Sequence, residues 1–178
     1  MANKSVSIVD KSAVVNINSP RALKSFSVEL KAFIVENNLY TTISNKNYVH
    51  VEGWQFAGAS MGIFPMVEKV ERLISEDGSE IKYRAEVKLV RLSDGSTIGY
   101  GMALCSNKET KKKSFDEYAI MSMAQTRAVG KAFRLTIGWI MKLAGYEGTP
   151  AEEITGVEAT DEEFDAIVKA HKDVNNQA

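Results

Sequence analysis

Two Asp-Gly-Ser triplets, at residues 77–79 and 94–96, divide the middle of the chain into three runs of alternating apolar and polar residues. Asp-Gly between alternating runs signals a tight hairpin, because the turn needs positive φ and glycine takes it without a Cβ clash. Two hairpins in succession make an antiparallel meander. The spacing predicts strands over residues 64–74, 80–92 and 97–105. In the second, Ile81, Tyr83, Ala85, Val87 and Leu89 share one face, and Lys82, Arg84, Glu86 and Lys88 share the other. That is the pattern of a sheet with one buried side.

The third strand is uneven. Ile98, Tyr100, Met102 and Leu104 face one way, and the small residues Thr97, Gly99, Gly101, Ala103 and Cys105 face the other. So bare a face admits close approach by another element. The segment after the meander offers a matching stripe, Ala124, Ala128 and Ala132. Ser114-Phe115-Asp116-Glu117 reads as a capping box that starts this helix at Ser114. The helix runs through at least Leu135, with Gly138 and Gly145 placed to bend or divide it.

Upstream, Ser19-Pro20 reads as an N-cap and first helical position. Leu23, Phe26, Leu30, Phe33 and Ile34 follow at helical spacing, giving an amphipathic helix over residues 20–37. Residues 39–51 read as extended and 52–62 as a short helix. Residues 1–18 are polar around Val14 and Val15, and a small acidic helix is expected between Thr160 and Asp173. The expected class is α+β: an antiparallel β-meander packed on one long helix (a β-β-β-α core), with an N-terminal amphipathic helix and an acidic C-terminal tail. The expected divisions are 1–18, 19–150 and 151–178, with Pro150 closing the domain.

Charge gives the first indication of function. Between Tyr118 and Tyr146 the chain has no acidic residue, yet it carries Arg127, Lys131, Arg134 and Lys142. Arg127, Lys131 and Arg134 lie at i, i+4 and i+7, one face of a helix. With no carboxylate in the segment to pair them, they are expected to bind an external anion, and a nucleic-acid backbone is the commonest polymeric one. Residues 1–150 hold 20 Lys and Arg against 15 Asp and Glu, and residues 151–178 hold 2 against 8. A basic body with an acidic tail fits the same reading.

Three further groups are candidates for the same surface. Lys111, Lys112 and Lys113, with Lys108, form a loop that is either solvated or a phosphate contact. Lys82 and Arg84 are either the solvent side of the sheet or one wall of a basic groove. Lys46, Asn47, Tyr48 and His50 mix cation, amide and aromatics, which can grip single strands through stacking, although Tyr48 and His50 alternate with Val49 and Val51 and either set could equally be core.

Other chemistry finds less support. Glu86-Val87-Lys88 with Asp77 upstream matches the acid plus Glu-x-Lys arrangement of metal-dependent nucleases, in which carboxylates hold a divalent cation. The triplet also arises by chance on a polar strand face, and turn chemistry explains Asp77. Gly130-Lys131 lacks the rest of a P-loop. Cys105 is the single cysteine, reads as core and points to a reducing compartment. His50 and His171 make no zinc spacing. The most apolar stretch, residues 135–145, is too short for a bilayer. The expectation is a soluble cytoplasmic protein (host cytoplasm if viral) with no cofactor, no metal and no membrane partner.

The stretch from Leu89 to Gly101, with Asp94-Gly95-Ser96 and Gly99-Tyr100-Gly101, resembles the meander of the Rad-fifty-two recombination family. The long helix is similar to that family through Ala124, Thr126, Lys131-Ala132-Phe133-Arg134 and Gly138, as is Val51-Glu52-Gly53 before a short helix. The likeness covers about residues 40–146, and Met123 to Ala132 looks most like the phage single-strand annealing relatives. It departs in having Gly130-Lys131 where eukaryotic members have two adjacent basic residues, and one extra residue between Arg134 and Gly138.

The resemblance implies a β-β-β-α core assembled into homo-oligomeric rings or helical arcs. It implies a positive groove that holds single-stranded DNA backbone-inward and anneals complementary strands without ATP in recombination and repair. Lys131 and Arg134 match its basic groove residues, and residues 46–50 fall where it places further DNA contacts. The expected role is therefore not enzymatic. The acidic tail reads as solvated, or else as docking on a replication or repair protein or competing with DNA for the groove.

Overall fold

The computed structural model describes residues 19–75 and 78–154. The expectations for residues 1–18, for Asp77 and for the terminal helix between Thr160 and Asp173 lie outside them.

Helix α1, Pro20–Glu36, begins as its sequence requires. Ser19 is extended and its hydroxyl accepts from the Ala22 amide at 3.1 Å, and proline occupies the first turn, where no amide is needed. Phe26, Leu30 and Ile34 are its buried stripe. Residues 39–51, read as simply extended, form a hairpin of β1, Tyr40–Ile43, and β2, Lys46–Val49. Ser44 and Asn45 make its turn with φ of 48° and 61°. Two consecutive positive φ values match the right-handed twist of a two-residue hairpin, and Asn tolerates them. The usual Asn-Gly signal is missing here, so the strands were not separable by pattern. Helix α2, Val51–Ser60, follows and buries Trp54 and Ala57.

The meander is present: β3, Ile63–Arg72, β4, Lys82–Arg91, and β5, Thr97–Ser106, form one antiparallel sheet in the order β3-β4-β5. Gly95 turns the second hairpin with φ of +71°. In register, Val87 lies between Val67 and Gly101, and a bulge between Val67 and Lys69 shifts the far half of β3. Ala85, Val87 and Leu89 are buried as the alternation demanded. On the opposite face, Phe64, Met66, Tyr100, Met102 and Leu104 stay exposed beside the charged column of β4.

After β5 the chain makes a 3-10 turn, Thr110–Lys112, and enters the long helix α3, Glu117–Leu143. The helix starts later than the Ser114 capping box predicts. Its N-cap is Asp116, whose carboxylate accepts from the Ala119 amide at 2.7 Å. The chain before it is still turning, with the Phe115 amide on the Lys112 carbonyl, and Glu117 reaches the sheet instead, accepting from the Tyr83 hydroxyl at 2.6 Å. Ile137 leaves helical geometry at φ −127°, ψ 16°, just ahead of Gly138.

Helix α3 lies on β5 and β4 through the two small-residue stripes, and Ala124, Ala128, Ala132 and Cys105 are all fully buried. A Cβ on Gly101 would sit 2.3 Å from the Ala132 nitrogen and 2.4 Å from the Ala128 carbonyl oxygen. The chain then returns along α3. Pro150 is fully buried against Gly130, where an added Cβ would meet its ring at 3.0 Å. The body does not close at residue 150: Ala151 is buried, and α4, Ala151–Ile154, is packed into it. Among the described residues no helix is long and apolar enough to cross a membrane.

Backbone cannot yield as a flexible side chain can, so Gly101→Ala should lower unfolding free energy by about 1–3 kcal/mol. Gly138→Ala, where the nearest atom is 3.8 Å away, should be neutral or stabilise by up to about 1 kcal/mol. Urea denaturation of the two variants checks the contrast.

Candidate nucleic-acid interface

The three cations of α3 do share a face, but they are not unpaired. Arg127 is 9% exposed. Its Nη1 and Nη2 donate to the two carboxylate oxygens of Glu109 at 2.8 and 2.7 Å. Nη1 also donates to the Leu104 carbonyl at 3.1 Å, and Nε to the Glu152 carbonyl at 3.2 Å. Four of the five N–H donors of this guanidinium are thus committed within the protein. The expectation that Arg127 contacts DNA is corrected: it is an internal clamp joining α3, β5, the lysine loop and α4.

Lys131 and Arg134 fare differently. Both approach one oxygen of Glu153, Oε2, at 3.4 and 2.8 Å, and their side chains remain 39% and 38% exposed. Two positive charges therefore share one carboxylate. Lys131 also borders two shallow depressions along the open edge of β5, one shared with Met102, Leu104 and Glu153 and the other with Tyr100, Met102 and Leu135. The partners that the acid-free segment lacks come from either side of it. Glu109 arrives on the loop before α3, and Glu153 on the return after it. Their signal was the turn at Pro150 opposite Gly130, which brings the next residues back over Lys131. The spacing rule counts only neighbours on the same helix and is blind to it.

The lysine loop splits. Lys112 is buried, its ammonium 4.4 Å from the centre of the Phe115 ring. That desolvated cation–π contact removes it as a phosphate ligand. Lys111 and Lys113 are exposed, and Lys108 lies 3.9 Å from Glu80. Glu109 ties this loop to Arg127, one helical turn from Lys131.

On the outer face of the sheet the cations are matched by carboxylates. Lys82 lies 3.9 Å from Glu80; Arg84 pairs with Glu71 at 2.5 Å and Glu86 at 3.1 Å; Lys88 pairs with Glu68 at 2.9 Å. A basic groove wall on β4 is corrected to a neutralised strand face. The same pairs engage Glu86 and Lys88, the nuclease candidates, on an open sheet face. Among the described residues no group of three or more His, Cys, Asp or Glu is placed to hold a metal ion.

The β1–β2 hairpin lies beyond the end of α3, where the Glu147 amide donates to the Asn47 carbonyl at 2.9 Å. Lys46 and Asn47 are exposed, and the Asn47 side chain accepts from the Thr42 hydroxyl at 2.6 Å. Tyr48 and His50 are half-buried, with His50 Nε2 2.7 Å from the Thr41 hydroxyl. The hairpin reaches the helix stripe through α4: Glu152 accepts from the Val51 amide at 3.0 Å, next to His50, while Glu153 meets Lys131 and Arg134. The fold thus gathers His50, Arg127, Lys131 and Arg134 around α4 and leaves Lys82 and Arg84 elsewhere.

The two partly buried carboxylates titrate in opposite directions. Burial pushes Glu109 up, but the Arg127 hydrogen bond, the Ser106 amide and the Arg127 charge outweigh it and hold the group below its ordinary value. Burial dominates at Glu152 and raises it, against the Val51 amide. A lowered carboxyl contributes stability above its unfolded value and loses it as pH falls through the folded one; a raised one opposes folding until it is protonated.

Arg127→Met leaves the partly buried Glu109 carboxylate without its guanidinium and should cost about 3 kcal/mol, the lower end for a broken buried pair. It should also remove the loss of stability on acidification below the ordinary glutamate range. Glu152→Gln should remove the opposing gain seen just above that range. Denaturation curves as a function of pH test both signs.

No protein-family model matches the chain, and no curated protein sequence matches it.

Proposed function

We propose that the protein binds single-stranded DNA and anneals complementary strands without ATP, as a homo-oligomer acting in recombination. The observation that carries this reading is the Lys131–Arg134 pair. Two half-exposed cations stand against one carboxylate, beside a strand edge whose Tyr100 and Met102 are 61% and 54% exposed. A phosphate backbone meets the cations, and bases have aromatic and thioether surface within reach. The exposed Lys111 and Lys113 extend the charge toward the start of α3, and Lys46 extends it beyond the helix end.

The mechanism is electrostatic and geometric. Neutralised phosphates no longer repel a second strand, and a strand held extended does not fold on itself. No bond is made or broken. One subunit spans only a few nucleotides, so tracking a strand takes several. The exposed Tyr100, Met102 and Leu104 along β5 and the single-sided β5 edge support subunit contacts, since such edges are otherwise liabilities.

Fluorescence-monitored annealing of complementary oligonucleotides without ATP, with magnesium present, tests the reading. Annealing without degradation is expected, and degradation or inertness overturns it. Affinity should fall with salt, with log K changing by about −0.7 per phosphate contact for each unit of log salt. Lys131→Ala with Arg134→Ala should abolish binding and leave the oligomer intact by size-exclusion chromatography.

A further inference from the structure

On the reading that Lys131 and Arg134 hold phosphate, we infer that Glu153 is a built-in competitor for that site and makes it selective for polyanions over single phosphates. Its Oε2 occupies the position between the two cations that a phosphate oxygen would take, at 2.8 Å from Arg134 and 3.4 Å from Lys131. Its Oε1 is buried with no hydrogen-bond partner, so the carboxylate is held for the cations alone.

The segment carrying Glu153 is fixed independently of them. Pro150 and Ala151 are buried, the Glu152 carboxylate caps the Val51 amide, and the Glu152 carbonyl is held by Arg127. The carboxylate is therefore delivered at the high effective concentration of an intramolecular group, on the order of millimolar or more. A lone phosphate at lower concentration cannot displace it. A polymer can, because neighbouring phosphates engaged at other cations present the next one at a comparable effective concentration. The contacts that fix α4, at Pro150, Ala151 and Glu152, do not involve the Glu153 side chain.

The test compares wild type, Glu153→Gln and Glu153→Asp, with Glu147→Gln as a control that removes the same charge from the exposed Lys142 pair. Binding of a labelled thymidine oligonucleotide is measured across a salt series. Glu153→Gln should bind about two- to tenfold tighter, the release of two partly exposed ion pairs. Its salt dependence should steepen by about one phosphate contact. Glu147→Gln should stay near wild type, Glu153→Asp, whose carboxylate sits one methylene farther from both cations, should fall between wild type and Glu153→Gln, and the gain should vanish in the Lys131→Ala, Arg134→Ala background. Inorganic phosphate should compete measurably with the oligonucleotide only in Glu153→Gln.

Equal affinity and slope for wild type and a folded Glu153→Gln, confirmed by an unchanged melting temperature, overturns the competitor role while leaving DNA binding in place. An equal gain in Glu147→Gln reduces the effect to net charge and also overturns it. Failure of every form to bind overturns the DNA-binding reading itself.

Discussion

The guanidinium of Arg127 is the joint on which the candidate site depends. Four hydrogen bonds from one planar group tie α3 to a carbonyl of β5, to the carboxylate at the start of the lysine loop and to the backbone of α4. Arginine suits this role because its donors fan out in a fixed plane and its charge cannot be lost. The pair is buried, and in isolation burial of two charges is unfavourable. The bidentate geometry and the extra carbonyl acceptors offset that desolvation. What results is fixed direction: the next turn of α3 presents Lys131 at the open edge of β5, with Glu153 above it.

That arrangement rests in turn on a close backbone contact. Gly101 brings α3 so near β5 that Arg127, next to Ala128, can reach the Leu104 carbonyl. Gly130 does the same on the other side of the helix for Pro150. The two glycines let a single helix be gripped by strand and returning chain at once. The charged surface is thus set by packing of small residues, and the cations occupy what that packing leaves accessible.

The consequence for charge is a graded series. Arg127 is buried and spends four of its five donors on the protein, Lys131 and Arg134 are half committed, and Lys113 is exposed. A surface of this kind has less positive potential than its sequence suggests, because Glu153 offsets part of the charge of Lys131 and Arg134. Counting cations along α3 overstates the surface because it leaves out Glu109 and Glu153.

The meander, the long helix and the face on which they meet were legible in the residue pattern alone. Each follows from short-range rules: Asp-Gly turns, period-two alternation, and alanines four apart opposite glycines two apart. It also placed Arg127, Lys131 and Arg134 on one face and Cys105 in the core. How far each of those cations is committed follows from the tertiary fold, because their partners come from the lysine loop and α4, 18 to 25 residues away in sequence, and ion pairing has no periodicity. The β1–β2 hairpin and the Asp116 cap escaped for a related reason. Ser44-Asn45 is a rarer turn pair, and Ser114 lost to Asp116 because the preceding 3-10 turn consumes the chain that a helix starting there would need.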